Sequence, residues 1–293
     1  MNTRKTLKEL FRRDRLLVAP GCFDGLSARL VEAAGFEAVY LSGGAVARST
    51  GLPDIGLVHM GEVIERAAQV VAAVKVPVIA DADTGYGNAL NVIRAVRELE
   101  RVGVAAIHLE DQVNPKRCGH LDGKEVIPLS EMERKLEAAL TARTDPDFAI
   151  IGRTDARAPL GLDQAIQRGK SFARLGVDAV FVEAPESVAE MEAVARMIPK
   201  VPLMVNMFKG GKTPFLTVSQ LEQMGFRIAI FPSETQRAAI HAMKRALSLL
   251  RKDGSTEAMD KELATFRERD TVVGLSEWQE LEHKFAAREQ GRE

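Results

Sequence analysis

The sequence predicts an α/β chain folded as a (β/α)8 TIM-type barrel with extra C-terminal helices, on three observations. A helix-like stretch closes on glycine and runs into a short apolar segment four times: Gly35-Phe36-Glu37-Ala38-Val39-Tyr40, Gly103-Val104-Ala105-Ala106-Ile107, Gly176-Val177-Asp178-Ala179-Val180 and Gly225-Phe226-Arg227-Ile228-Ala229. Glycine ends a helix in the left-handed conformation, and an unbroken apolar run suits a strand covered on both faces, so each copy reads as a helix feeding a parallel strand. Lys75-Val76-Pro77-Val78 and Lys200-Val201-Pro202-Leu203 put proline at a strand start, where its missing N–H costs little. The strand ends placed in this way carry polar groups that meet at one mouth of a parallel barrel.

Taken in order, the strands fall at 16–19, 38–41, 77–81, 105–110, 148–153, 178–183, 202–206 and 227–231, the first and fifth from the apolar runs Leu16–Ala19 and Phe148–Gly152. Eight strands alternating with helices favour a closed barrel over an open doubly wound sheet, and no glycine-rich dinucleotide turn follows Ala19. The chain continues through an amphipathic helix at 234–252 and two charge-laced segments, 256–269 and 276–289. This predicts a barrel with its eighth helix over 1–252 and a helical extension over 253–293, which packs on the barrel or a neighbouring subunit or remains a solvated tail.

Composition narrows the function. The 293 residues are 46% hydrophobic, enough for a large core. Forty basic against 41 acidic side chains give a net charge of −1, so no field draws the chain to nucleic acid or a membrane surface. A small molecule is the expected partner. Two cysteines, no apolar leader and no apolar run of membrane length point to a reduced, cytoplasmic setting.

The mouth assembles from Ser42-Gly43-Gly44, Asp81, Asp83, Glu110, Arg153, Glu183 and Asn206. Asp81 and Asp83 stand two apart on an extended segment and face the same way, a pattern that suits Mg²⁺, with Mn²⁺ as the alternative. The other reading is a carboxylate that caps the next helix. An EF-hand fails, since Tyr86 would occupy the required glycine and Val92 the required glutamate. Glu110 can complete such a shell, whereas His108 reads as a packed barrel residue because Mg²⁺ prefers oxygen. Arg153 offers a fork for a carboxylate, or an ion pair with Asp155 or Glu183. Ser42-Gly43-Gly44 presents backbone N–H groups to an oxyanion. A phosphate loop is rejected at 206–213, because Asn206 stands where the leading glycine belongs.

Lys116-Arg117-Cys118-Gly119-His120 is the densest group. Cations beside a thiol lower its pKa, which predicts that Cys118 exchanges a proton near neutral pH. Cys22, beside the first strand, reads as structural.

Together with Tyr40-Leu41-Ser42-Gly43-Gly44, Gly51-Leu52-Pro53-Asp54, 81–87, Glu110-Asp111-Gln112, Gly152-Arg153-Thr154-Asp155 and Asn206, that pentapeptide resembles the isocitrate lyase and phosphoenolpyruvate mutase superfamily. The resemblance runs from about Val18 to Phe231 and more weakly to Phe285, and lies nearest the 2,3-dimethylmalate and 2-methylisocitrate lyases and carboxyphosphonoenolpyruvate mutase-like members. It implies Mg²⁺ held by Asp54, Asp81, Asp83 and Glu110, and a 2-hydroxy or 2-oxo acid held by Ser42, Gly43, Gly44, Arg153, Asn206 and Gly119. Cys118 on a mobile loop, Tyr40 as a base, and His120, Glu183 and Lys116 complete the implied catalytic set. The implied reaction cleaves a C–C bond of a substituted 2-hydroxy diacid to pyruvate and a carboxylate. Phosphonomutase and oxaloacetate-processing chemistry are the alternatives; oxaloacetate acetylhydrolases carry serine where Pro232 falls. The resemblance also implies a homotetramer, a dimer of dimers, with C-terminal helices exchanged between subunits.

Overall fold

A computed structural model describes residues 2–198 and 200–289. Met1, Pro199 and residues 290–293, which fall within the expected barrel and extension, lie outside the described residues. Eight parallel strands close in sequence order into a barrel: β1 (Leu17–Cys22), β2 (Val39–Leu41), β3 (Val78–Asp81), β4 (Ala106–Glu110), β5 (Ala149–Thr154), β6 (Ala179–Val182), β7 (Leu203–Asn206) and β8 (Ile228–Phe231). Closure is made by β8 on β1, in the register Leu17↔Ile228 through Pro20↔Phe231. Each strand lies within two to three residues of its predicted place.

The glycine joints work as the sequence implies. Gly176 and Gly225 cap the helices Leu162–Leu175 and Val218–Met224 at φ +87° and +98°. A residue with a Cβ would be strained at both.

Alternation along the strands sorts two apolar layers. Tyr40, Ile79, Ile151, Phe181 and Ile230 point into the barrel, while Val39, Leu41, Val78, Ala80, Ile150 and Val180 point out against the helices. The period of two therefore aims Asp81, two residues after Ile79, inward at the mouth. An N-terminal helix, Thr3–Arg12, was not predicted, although Leu7, Leu10 and Phe11 show helical spacing. Those three residues are buried with the inner layer. Arg4 binds the Val104 carbonyl at 3.1 Å and Asp145 at 2.8 Å, and Lys8 pairs with Asp178 at 2.8 Å. The helix thereby closes the end of the barrel opposite the mouth.

The chain divides into two compact units, Met1–Gln236 and Arg237–Glu293. The first holds the barrel. The second contains most of the helix Glu234–Asp253, a 3₁₀ turn at Glu257–Glu262 and the helices Phe266–Val272 and Leu275–Glu289. Its large apolar side chains are exposed to an unusual degree, Phe266 by 74% and Trp278 by 68%, with Leu247 and Phe285 more than half exposed. Among the described residues no helix is long and apolar enough to cross a membrane.

Candidate active site

Every predicted site residue except Gly43, Asp83 and Glu110 lines one cavity of about 440 Å³ at the C-terminal ends of the strands. Those three lie beside the lining. Ser42 follows β2 and accepts the Ala45 N–H at 3.3 Å. Gly43 and Gly44 have no room for a side chain: a Cβ would lie 2.7 Å from Asp81 Oδ2 on the first and 2.6 Å from Asp54 Oδ2 on the second. The backbone turn is thus pressed onto two carboxylates.

Asp81 ends β3 and accepts the Asp83 N–H at 3.0 Å, while the Asp83 carbonyl accepts the Glu110 N–H at 2.9 Å. These bonds hold Asp83 at φ +46°, a left-handed conformation aspartate tolerates. The next helix, Ala89–Arg101, is capped by Asn88, so the capping reading of Asp83 falls. Asp54 arrives from the loop that follows the helix Gly43–Ser49. The Lys116 ammonium lies between them, 2.6 Å from Asp54 and 2.8 Å from Asp83. With that ammonium in place, no group of three or more His, Cys, Asp or Glu side chains among the described residues is spaced as a ready metal cage. The donors still suit a hard divalent cation, because both Glu110 carboxylate oxygens are buried and accept no hydrogen bond.

Burial pushes Asp83 up to about 6 and Glu110 well above the usual carboxylate range. Burial opposes ionisation of Asp81 too, yet His108, Lys116 and Arg153 carry it down to about 2.

Tyr40 is buried in the inner layer of the barrel, its hydroxyl 2.8 Å from His108 Nε2 and 3.5 Å from Asp81 Oδ2. Burial, reinforced by Asp81, holds its phenolic proton on. Burial also lowers His108 to about 4, so the ring is neutral and packs between Tyr40 and Phe181, as expected of a barrel residue. Arg153 pairs through Nε with Asp155 at 2.9 Å and with Glu110 at 3.2 Å, and rests 5.1 Å from the Phe181 ring centre. The ion-pair reading of Arg153 therefore holds, and the guanidinium also lines the cavity.

The Lys116–His120 loop folds over this floor. A Cβ on Gly119 would lie 2.6 Å from Glu183 Cγ and 2.7 Å from Arg153 Nη2, so only glycine lets the loop come this close. His120 Nδ1 accepts the Lys212 N–H at 3.2 Å, which leaves the ring proton on Nε2, 3.4 Å from Glu183 Oε1 and beside Asn206.

Cys118 corrects the sequence reading. Its pKa is raised, by burial and then by Asp54. Lys116 is adjacent in sequence but spends its charge on Asp54 and Asp83, and Arg117 is exposed. The thiol is therefore held protonated. Cys22 is fully buried and its pKa is raised by burial, in keeping with a structural role.

The lining also holds residues outside the predicted set, among them Arg48, Phe208 and Ser233. Ser233 lies two residues past β8, and its buried hydroxyl has no hydrogen-bond partner. The rule that found the other strand ends would have found it.

A family model described as phosphoenolpyruvate phosphomutase matches residues 7–251. The 2,3-dimethylmalate lyase of Eubacterium barkeri is 44% identical over 98% of this chain and 99% of its own length. The 2-methylisocitrate lyase of Aeropyrum pernix is 42% identical over 93% of this chain and 88% of its own. Among solved structures, an oxaloacetate acetylhydrolase bound to 3,3-difluorooxalacetate superposes with a TM-score of 0.93 at 34% identity, covering 97% of both chains. A 2,3-dimethylmalate lyase, described as a member of the PEP mutase/isocitrate lyase superfamily, gives 0.92 at 36% over 97% and 95%. A phosphonopyruvate hydrolase complexed with oxalate and Mg²⁺ gives 0.89 at 30% over 98% and 100%.

Proposed function

Because this chain belongs to the phosphoenolpyruvate phosphomutase family, and its relatives make it a carbon–carbon lyase, we propose that it cleaves a substituted 2-hydroxy diacid of the 2,3-dimethylmalate type into pyruvate and a carboxylate. The observation that carries this is a protonated thiol, Cys118, on a loop that faces the same cavity as Arg153 and the aspartates.

The substrate's 2-hydroxy carboxylate is held by the backbone of Ser42–Gly44 and by Arg153, with Asn206 and Gly119 on the loop side. Asp54, Asp81, Asp83 and Glu110 would hold Mg²⁺ or Mn²⁺, which supplies Lewis acidity toward the hydroxyl and its neighbouring carboxylate when bound. Tyr40 accepts the hydroxyl proton and passes its own to His108 Nε2, so no buried phenolate need persist. The C2–C3 bond then breaks; its electron pair goes to C3, next to the distal carboxylate, and C2 becomes the pyruvate carbonyl. Cys118 delivers its proton to C3. His120 and Glu183, which meet behind the loop, return a proton to the thiolate. Lys116, once displaced from between Asp54 and Asp83, is free to face the departing carboxylate.

Pro232 lines the cavity at the position where the oxaloacetate acetylhydrolases carry serine and supplies no O–H there, which ranks oxaloacetate hydrolysis below the lyase reading. Pyruvate release from a panel of substituted malates with Mg²⁺ tests the reading, and phosphonate formation in the same samples tests the mutase alternative. No pyruvate from any malate would overturn it.

The oligomer is part of this proposal. The barrel with its eighth helix spans 1–252 and the extension 253–293. The exposed Leu247, Phe266, Trp278 and Phe285 fit burial against second copies, as helices exchanged within a homotetramer built as a dimer of dimers. Both cysteines are free, which fits a reducing cytoplasm.

A further inference from the structure

Lys124 belongs to none of the roles above, yet it is among the most deeply enclosed cations in the molecule, its side chain 1% exposed. A buried ammonium persists only where its donors are satisfied. Here one goes to the Gly119 carbonyl, next to Cys118, and another to Asp155 Oδ1 at 3.0 Å. Asp155 in turn accepts Arg153 Nε at 2.9 Å and Nη2 at 3.2 Å. Asp155 cannot drift, because its N–H is held by Asp111 at 2.8 Å, and Asp111 is fixed by Thr154 at 2.6 Å and Arg168 at 2.9 Å.

We propose that Lys124 is a positioning residue that latches the Cys118 loop onto the carboxylate orienting Arg153, so that closing the loop and setting the substrate clamp are one event. Two consequences follow from the bonding. The Gly119 carbonyl is drawn down to a buried point, which seats Gly119 against Arg153 and Glu183 and brings Cys118 over the cavity. Lys124 also neutralises part of the Asp155 charge, so the Arg153 guanidinium keeps attraction for an incoming carboxylate. Of the other tethers, Lys116 to Asp54 and Asp83 and His120 to Glu183 and Asn206 run through groups assigned to the reaction, while the Arg117 backbone is held by Gln112 and the exposed Asp122 pairs with Lys212. Lys124 touches none of the proposed metal ligands and does not itself line the cavity; it reaches the lining through the Gly119 backbone carbonyl, so its bond can persist whatever metal occupies the site.

The kinetic side of this idea rests on the lyase reading; the structural side does not. The test is therefore the alkylation of Cys118 by iodoacetamide in the full-length protein, with the buried Cys22 as the unreactive internal control. Lys124→Met and Lys124→Gln are expected to raise the alkylation rate roughly tenfold or more and to weaken oxalate binding in the presence of Mg²⁺ by a similar factor. Affinity for Mg²⁺ alone stays within about twofold of the parent, and Lys124→Arg, which keeps the charge, recovers part of both losses. A cooperative melt identifies which variants fold; if Lys124→Met does not, Lys124→Gln decides by the same readings. Folded Met and Gln variants that alkylate at the parental rate and bind oxalate as the parent does would overturn the latch. A residue that merely held the fold together would lower the melting temperature without changing thiol access. Failure of the parent to release pyruvate would instead overturn the lyase reading and leave the alkylation result standing.

Discussion

Replacing Lys116 with methionine is expected to tighten Mg²⁺ binding while cleavage falls, an uncommon pairing that follows from where the ammonium lies. Nζ is 2.6 Å from Asp54 and 2.8 Å from Asp83, so a divalent cation must displace it before reaching those oxygens. At an effective dielectric near 20 each contact carries about 6 kcal/mol of gross Coulomb attraction. Desolvation of the three buried charges cancels most of that, and hydrogen bonds to charged groups retain about 1.5–3 kcal/mol net. Removing this competitor strengthens metal binding by the same amount, or about ten- to a hundredfold in Kd. The gain is conditional on pH. Loss of the ammonium lets Asp83, already raised by burial to about 6, hold its proton more firmly, so the measurement belongs near pH 8. Titration calorimetry of Mg²⁺ into parent and variant, paired with pyruvate release from 2,3-dimethylmalate, reads both effects. An unchanged or weaker Mg²⁺ affinity in the variant at pH 8 would refute the displacement argument.

Asp81→Ala is expected to abolish cleavage and Mg²⁺ binding with a cooperative melt preserved, since Asp81 points to the cavity rather than the apolar layers; calorimetry and circular dichroism check this. In the parent, Mg²⁺ affinity should fall by up to about tenfold per unit as pH drops below about 6, because burial raises Asp83 and a proton must then leave as the metal binds; a flat titration between pH 5 and 8 would contradict it. Phe181→Ala removes a fully buried ring beneath Arg153 and should cost about 3–5 kcal/mol in denaturant unfolding, with a raised KM as well. Ser233→Ala deletes a buried hydroxyl that has no protein partner, so it should leave stability within about 0.5 kcal/mol while raising KM for the diacid; an unaltered KM would remove Ser233 from the site.

The barrel was legible because its signals are local. A glycine that closes a helix, a proline at a strand start and a run of apolar residues each act within a few positions, and together they placed all eight strands. Asp81 was legible for the same reason, through the period of two; Asp83 escapes that rule, because the strand ends at Asp81 and a left-handed turn at φ +46° carries its carboxylate to Lys116. What the sequence concealed is set by contacts across long separations. Lys116 reaches Asp54, 62 residues away, and no spacing rule connects them. Cys118 was misjudged because adjacency in the chain was taken for proximity in space: the neighbouring cations face elsewhere, and burial decides the thiol's proton. Lys124 shows the opposite case, a charged residue in a polar loop whose side chain is enclosed only once Asp155 and the Gly119 carbonyl converge on it. The helix Thr3–Arg12 needed no long-range knowledge, only attention to the spacing of Leu7, Leu10 and Phe11.

Cys118→Ser, followed by pyruvate release from 2,3-dimethylmalate and by Mg²⁺-dependent oxalate binding, tests the central claim most directly. A hydroxyl is a far weaker acid than a thiol, so cleavage should fall by about 10²–10⁴ while oxalate and Mg²⁺ still bind through Arg153, Ser42 and the carboxylates. Cleavage at the parental rate would remove the thiol from the chemistry and with it the reading of this cavity as a lyase site in which Cys118 protonates the carbanion.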